Sequence, residues 1–260
     1  MNIFVFAKRV PDTESKIRIA PDGKKIIEED LNFVLSPFDE YAVEEALQLR
    51  EAHEGKVTAF SVGTEESLTI LKKCLAMGAD EAVLLKDETV ETYDGLRTAR
   101  IIAQALKEKF SDYDLLLFGK QSVGADNAQI PSMVAELLGL PQVNVVIKLE
   151  ITGANGVAHR EIEGAFEKLS FSLPAVMSAQ KGLNEPRYET LKGIMMAKRK
   201  EIPVVTVQEL GLGEEDLSPK LNLMKIESPP QRKAGTIIEG EATETTKKLV
   251  NFLREEAKVI

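Results

Sequence analysis

The residues best suited to chemistry sit in one glycine-bounded stretch, Gly119-Lys120-Gln121-Ser122-Val123-Gly124-Ala125-Asp126-Asn127-Ala128-Gln129-Ile130-Pro131. Its glycines let a ligand come close to the backbone. Gln121, Ser122, Asp126, Asn127 and Gln129 offer hydrogen bonds to a ribose, a base or a phosphate. An apolar run, Leu115 to Phe118, precedes the stretch, and a helical pattern, Ser132 to Leu138, follows it. Strand, polar loop and helix in that order place backbone N–H groups and a helix N-terminus around an anion. The same layout also serves as an ordinary βα connection. A second candidate is Ser36-Pro37-Phe38-Asp39, with serine at the N-cap, proline at the first helical position and an aspartate three residues after the serine. This helix start is either a second wall for an anionic or nucleotide ligand or a well-capped structural helix.

Other chemistry finds no support. There is no G-x-G-x-x-G fingerprint. Gly119-Lys120-Gln121-Ser122 imitates the end of a Walker loop, but Asp114 stands where its first glycine belongs. No nucleophile elbow and no Cys-x-x-Cys occur. His53 and His159 are far apart and Cys74 is the only cysteine, so no zinc-type ligand spacing exists. Glu161 and Glu163 alternate on a predicted strand, as a solvated rim does. Without a catalytic constellation, a nucleotide-type pocket reads as that of a binding or carrier subunit, not an enzyme.

The elements that must position these residues follow from the pattern. Ile3 to Ala7, Val57 to Val62, Ala82 to Leu85 and Leu115 to Phe118 are short apolar runs typical of buried parallel strands. Helical patterns alternate with them, one ending before Gly55, one at Gly78 and one spanning about Asp94 to Phe110. That alternation predicts an α/β fold with a doubly wound, mostly parallel sheet. Ile17 to Ile19 and Lys25 to Ile27 flank Pro21-Asp22-Gly23, predicting a hairpin. After Pro141 the rhythm becomes that of a small antiparallel β insertion: Val143 to Ile151, Val157 to Ile162 and Glu167 to Phe171. Ala175 to Ser178 reads as another buried strand, Leu191 to Lys200 as a helix, and Pro203 to Val207 and Leu221 to Ile226 as short strands. Pro229-Pro230 predicts a boundary, with residues 1–228 as the α/β domain and 229–260 as a C-terminal arm ending in a helix.

The chain has 260 residues, a formal net charge of −9 and 43% hydrophobic residues. That composition argues against nucleic acid or an anionic membrane as a partner. No apolar run is long enough to span a bilayer, so no membrane insertion is expected. A single cysteine, and a first strand that begins at once, predict a cytoplasmic protein without a targeting segment.

Several stretches, in order, resemble the β subunits of electron transfer flavoproteins. They are Val5 to Val10, Ser36 to Ala46, Leu75 to Asp80, Gly119 to Gln121, Arg160 to Gly164, Leu183-Asn184-Glu185-Pro186-Arg187-Tyr188 and Pro229 to Gly235. The resemblance implies an adenine-nucleotide-binding, Rossmann-like fold and a heterodimer with an electron transfer flavoprotein α subunit. In that family FAD is held mainly by the α subunit, and the β subunit buries an AMP. The implied AMP positions are Phe6, Ser36, Pro37, Phe38, Asp39, Val62 and every residue from Gly119 to Ile130. A recognition loop at about 179–201 would dock acyl-CoA dehydrogenases, with Leu191 as its anchor and Glu161, Asn184, Glu185, Pro186, Arg187 and Tyr188 taking part. Electrons would then pass to a quinone oxidoreductase or a similar acceptor. The arm would pack on the α subunit.

Some positions depart from the family pattern. Met196 and Arg199 stand where animal members carry methylatable lysines. Thr13 replaces an aromatic that some members place beneath the flavin, whereas Phe38 matches a position near it. Electron-bifurcating members hold a second FAD in place of AMP, with NADH as donor, and Asp126 to Pro131 resembles both variants. A free-standing nucleotide-binding regulator would leave the loop and the arm without a role. An adenylating enzyme would need a glycine-rich loop where Lys8-Arg9-Val10-Pro11-Asp12 stands.

Overall fold

A computed structural model describes residues 1–88, 94–230 and 235–260. Gln231 to Ala234, part of the Pro229 to Gly235 motif, lie outside the described residues. The chain divides into two units, Met1–Lys225 and Ile226–Ile260.

The first unit opens with β1 (Asn2–Phe6), β2 (Arg9–Pro11) and β3 (Phe33–Leu35), then α1 (Pro37–His53) and β4 (Lys56–Gly63). It continues with α2 (Leu68–Met77), β5 (Glu81–Lys86), α3 (Gly95–Glu108), β6 (Leu115–Gly119) and α4 (Ile130–Leu138). Next come β7 (Gln142–Thr152), β8 (Asn155–Ile162), β9 (Ala165–Ser172), β10 (Ala175–Ala179), α5 (Leu191–Arg199), β11 (Val204–Thr206) and α6 (Glu214–Leu217). Nine strands form one sheet in the order β11-β5-β4-β1-β6-β10-β7-β8-β9. From β11 to β7 every neighbour is parallel, and β7 to β9 continue as an antiparallel meander. The fold is therefore the α/β class expected, with the antiparallel strands hydrogen-bonded onto the main sheet through β7.

Two apolar layers clamp the sheet. One face packs on α1 and α2 through Val43, Leu47, Leu71 and Leu75. The other packs on α3 and α4 through Ile102, Leu106, Val134 and Ala135. Strands buried on both faces explain the unbroken apolar runs. β1 leads to β4 on one side, and β5 crosses back to β6 on the other. The switch of direction therefore falls between β1 and β6, where open α/β sheets hold ligands beyond their carboxyl ends.

Three sequence expectations change. The hairpin around Pro21-Asp22-Gly23 reduces to one bridge, Ile19 to Ile26, because no further strand pairs with it. Leu221 to Ile226 forms no strand: Leu221 and Met224 point to solvent, so their apolar alternation packs on nothing there. Glu163 lies in the turn after β8, not on the strand with Glu161.

In the second unit, α7 (Ala242–Asn251) runs into a π-helical turn, Phe252–Glu256. None of its helical residues is buried, and Leu249, Val250 and Phe252 are exposed. Among the described residues, no helix is long and apolar enough to cross a membrane.

Candidate functional site

A cleft opens beyond the carboxyl ends of β1, β4 and β6, at the switch point. Its floor is aromatic. Phe6 stacks on Phe118 with ring centres 4.4 Å apart and planes 8° from parallel, and Phe6 also stacks on Phe60 at 5.4 Å. Such rings give a flat, apolar bed suited to another planar group. One wall is α3, which contributes Gly95, Thr98 and Ile102. The facing wall is the loop after β6 with the first residues of α4, and the walls nearly meet. A side-chain carbon added at Gly95 would lie 3.4 Å from both Gln129 Oε1 and Ile130 Cδ1.

The loop is shaped by its own bonds. Asp126 N–H donates to the Ser122 carbonyl at 3.0 Å, and Gln121 Nε2 donates to Asp126 Oδ1 at 2.8 Å. Asp126, Ala128 and Gly124 all take positive φ, which only glycine adopts freely. α4 then starts at Ile130 without a cap from the Gln129 side chain, and its first turn faces the cleft. Lys8 donates from Nζ to Ser122 Oγ at 3.4 Å, and Lys120 joins it in the cleft. Burial pulls the Lys8 ammonium below its ordinary range, while nearby Asp39 opposes that shift. The cleft thus combines an aromatic floor, two lysines and a rim of amides and hydroxyls.

Asp39 ties the site together. Its Oδ2 accepts the Lys8 N–H at 2.7 Å and its Oδ1 accepts the Gly119 N–H at 3.1 Å, so one carboxylate spans the ends of β1 and β6. It is buried, and desolvation pushes its pKa up to about 7 against the pull of those two N–H groups. α1 starts after Ser36 with Pro37 in its first turn, where the sequence puts it, but without a side-chain cap. The Ser36 side chain caps nothing, and its buried Oγ has no hydrogen-bond partner. The strand-end amides, distant in sequence, outbid the local helix terminus for the Asp39 carboxylate. Gly119 has a matching reason: a Cβ there would lie 2.3 Å from Asp39 Oδ1 and 2.7 Å from Asp39 N. The Walker resemblance fails for a spatial reason too, because Asp114 accepts the Asn2 N–H at the opposite end of the sheet.

Of the residues singled out in the sequence, Phe6, Asp39, Val62, Gly119 to Ser122, Ala125 and Asn127 to Ile130 line the cleft. Ser36, Pro37, Phe38, Val123, Gly124 and Asp126 do not. Pro131, the end of the stretch picked out in the sequence, lines it too, whereas sequence reasoning missed Ala7, Lys8, Phe60, Gly95, Thr98, Ile102 and Phe118 as lining residues. Strand alternation carried a signal for Phe60, which shares a face with Val62. Nothing local marked the α3 residues.

The loop after β10 forms a second locus. Leu191 begins α5 and is 83% exposed, Tyr188 is 93% exposed, and Met195 extends the same apolar edge one turn on. Glu161 accepts from Gln180 Nε2 at 3.3 Å, which sets it beside the loop's start. Glu185 is exposed and Pro186 half-buried. Asn184 and Arg187 turn inward: Asn184 Nδ2 donates to Glu45 Oε2 at 2.9 Å, and Arg187 Nε donates to Glu44 Oε2 at 2.8 Å. Cys74 is buried and its thiol is pushed up to about 12 by desolvation, so it stays protonated. Among the described residues, no cluster of His, Cys, Asp or Glu could hold a metal ion.

Comparison with known proteins agrees with this layout. The family model described as electron transfer flavoprotein domain matches residues 24–210. The electron transfer flavoprotein subunit beta of Bacillus subtilis (strain 168) is 41% identical over 261 residues, covering 100% of both chains. That of Thermoanaerobacterium thermosaccharolyticum is 38% identical, covering 97% of this chain and 98% of its own. The human subunit beta is also 38% identical, covering 100% of this chain and 99% of its own. With full-length relatives at these identities, the chain belongs to the electron transfer flavoprotein β-subunit family.

Proposed function

We propose that this chain is the β subunit of a heterodimeric electron carrier, binding AMP in the cleft and supporting an FAD held mainly by an α subunit. One observation carries the reading: a cleft at the sheet's switch point that joins an aromatic floor to two lysines and a rim of amides and hydroxyls. Its residues fit an adenine nucleotide. Phe6 and Phe118 offer a stacking floor, Gln121, Ser122, Asn127 and Gln129 offer hydrogen bonds, and Lys8 and Lys120 offer positive charge for a phosphate. The close approach of α3 to α4 at Gly95 suits a mononucleotide better than a dinucleotide. When bound on the α subunit, FAD supplies the redox chemistry; this chain orients and shelters. A lone buried thiol fits a reducing compartment such as the cytoplasm.

The test is to purify the chain with its α partner and extract the nucleotides. One AMP and one FAD per heterodimer are expected. A second FAD in place of AMP would replace this reading with the electron-bifurcating one, and a flavin-free complex would end the carrier reading.

The docking half of the proposal concerns the exposed edge of Tyr188, Leu191 and Met195, which offers a small apolar anchor for acyl-CoA dehydrogenases. Electrons passed from a dehydrogenase docked there to the FAD of the α subunit would leave to a quinone-linked acceptor. Leu191→Ala should lower kcat/KM for dehydrogenase-driven flavin reduction about tenfold, the size of a modest hot spot. Flavin and AMP content should stay as in the parent. Dehydrogenase kinetics identical to the parent would remove Leu191 from the contact.

A further inference from the structure

Residues 180–190 form no helix or strand; Gln180 N–H donates to the Val146 carbonyl at 3.0 Å and Leu183 N–H to the Gln180 carbonyl at 3.2 Å, but among the described residues no backbone–backbone bond fixes residues 184–189. Side chains do. Leu183 packs against the α1–α2 face of the core. Asn184 Nδ2 donates to the Tyr41 carbonyl at 3.0 Å and to Glu45 Oε2 at 2.9 Å. Arg187 makes the densest set. Its N–H and Nε both reach Glu44 Oε2, at 3.1 and 2.8 Å, and Nη2 reaches Glu44 Oε1 at 3.0 Å. Nη1 reaches Glu51 Oε1 at 2.6 Å.

Glu44 and Glu51 lie seven residues apart on α1, so one helix face presents both carboxylates to one guanidinium. The Glu44 side chain is only 4% exposed. Burial works against its charge, but Arg187 and Gln48 together hold its carboxyl below the ordinary range. A buried carboxylate bound in this bidentate way is a strong, directional fastening that lysine cannot reproduce. On the far side, Gly193 seats α5 on α2, where a Cβ would lie 2.2 Å from the Ala76 carbonyl oxygen. Between the fastenings at Arg187 and Gly193 stand the two most exposed apolar residues of the loop, Tyr188 and Leu191.

We propose that Arg187, clamped between Glu44 and Glu51 with Asn184 beside it, is a positioning residue: it fixes the direction in which Tyr188 and Leu191 meet the partner and does not itself touch that partner. This inference rests on the docking reading above. The mount works by removing freedom before contact. A loop already held in its docking geometry gives up less conformational entropy when the partner arrives.

A double-mutant cycle separates positioning from contact. The intact heterodimer is reduced by an acyl-CoA dehydrogenase with its acyl-CoA, and KM for the heterodimer is measured for Arg187→Lys, Leu191→Ala and both together. Each single change should raise KM by about tenfold, with kcat moving far less. The double variant should reach well below the hundredfold of independent effects, because an unpresented leucine has less to lose. Hydrogen exchange of residues 183–190 in the free heterodimer should rise with Arg187→Lys. Fully additive effects, or an Arg187→Lys variant with parental KM, would overturn the positioning role. If Leu191→Ala has no effect by itself, the docking reading is what fails. Should Arg187→Lys not assemble, Glu51→Gln loosens only the outer half of the clamp, and the same subadditivity with Leu191→Ala is required.

Discussion

Gly119→Ala is expected to destabilise the chain by about 3 kcal/mol, the upper part of the range for forcing atoms into a packed site. For a unit of this size that corresponds to a melting temperature lower by roughly 6–12 °C. The cause is position, not backbone dihedral. The new methyl would lie 2.3 Å from Asp39 Oδ1, 2.7 Å from Asp39 N and 2.7 Å from the Phe38 carbonyl carbon. Two of these neighbours are backbone atoms of the first turn of α1, which cannot swing aside as a flexible side chain would. Either α1 or the end of β6 must move, and both border the cleft, so nucleotide content should fall together with stability. Gly124→Ala is the control. Gly124 has φ +91, but a methyl added there would meet nothing within 4 Å, so only backbone strain applies, about 1 kcal/mol. Thermal unfolding of both variants, with extraction of bound nucleotide, checks the contrast. Equal losses would mean that the close approach of α1 to β6 is not what makes Gly119 a glycine.

Asp39→Asn should change how stability depends on pH. The folded-state pKa of Asp39 is raised from an ordinary 3.8 to about 7 by burial. A raised pKa means that the unfolded chain releases this proton first. The contribution of Asp39 to stability is therefore fully present below about pH 4 and is lost as pH rises to about 7. Three pKa units correspond to on the order of 4 kcal/mol. Glu44 and Glu51, held low by Arg187, slope the opposite way, so the parent's total curve mixes both signs. The difference between parent and variant isolates Asp39. Asparagine turns a donor toward one of the two strand-end N–H groups, which costs about 1–3 kcal/mol at low pH. That deficit should shrink, and can reverse, as pH rises through 7. Urea unfolding at intervals between about pH 4 and pH 8 reads the difference directly, and a constant deficit would show that Asp39 titrates normally.

These two residues also show what was legible in the sequence. The strands β1, β4, β5 and β6 were readable because burial on both faces leaves a run of apolar residues. The start of α1 was readable because proline and serine mark it locally. The destination of the Asp39 carboxylate was not, since its partners follow strands that begin and end far away in sequence. The cleft loop announced itself through glycines and amides. Thr98 and Ile102 did not, because a helix wall looks the same in sequence whether it faces a ligand or a neighbouring side chain. Leu191 and Arg187 were grouped together by resemblance, and only the geometry separates an exposed side chain from one tied to α1.

The position of β10 has a consequence for how the molecule is made. In the sheet β10 lies between β6 and β7, yet in the chain it follows the whole meander β7 to β9. During synthesis the meander is therefore complete before the strand that joins it to the rest of the sheet exists. Until residues 175–179 emerge, the nascent chain carries two unclosed sheets, one ending at β6 and one beginning at β7. Each offers a free strand edge to any neighbouring chain. A product truncated between Ser172 and Ala175 keeps both edges open, whereas five further residues, ending at Ala179, close them together.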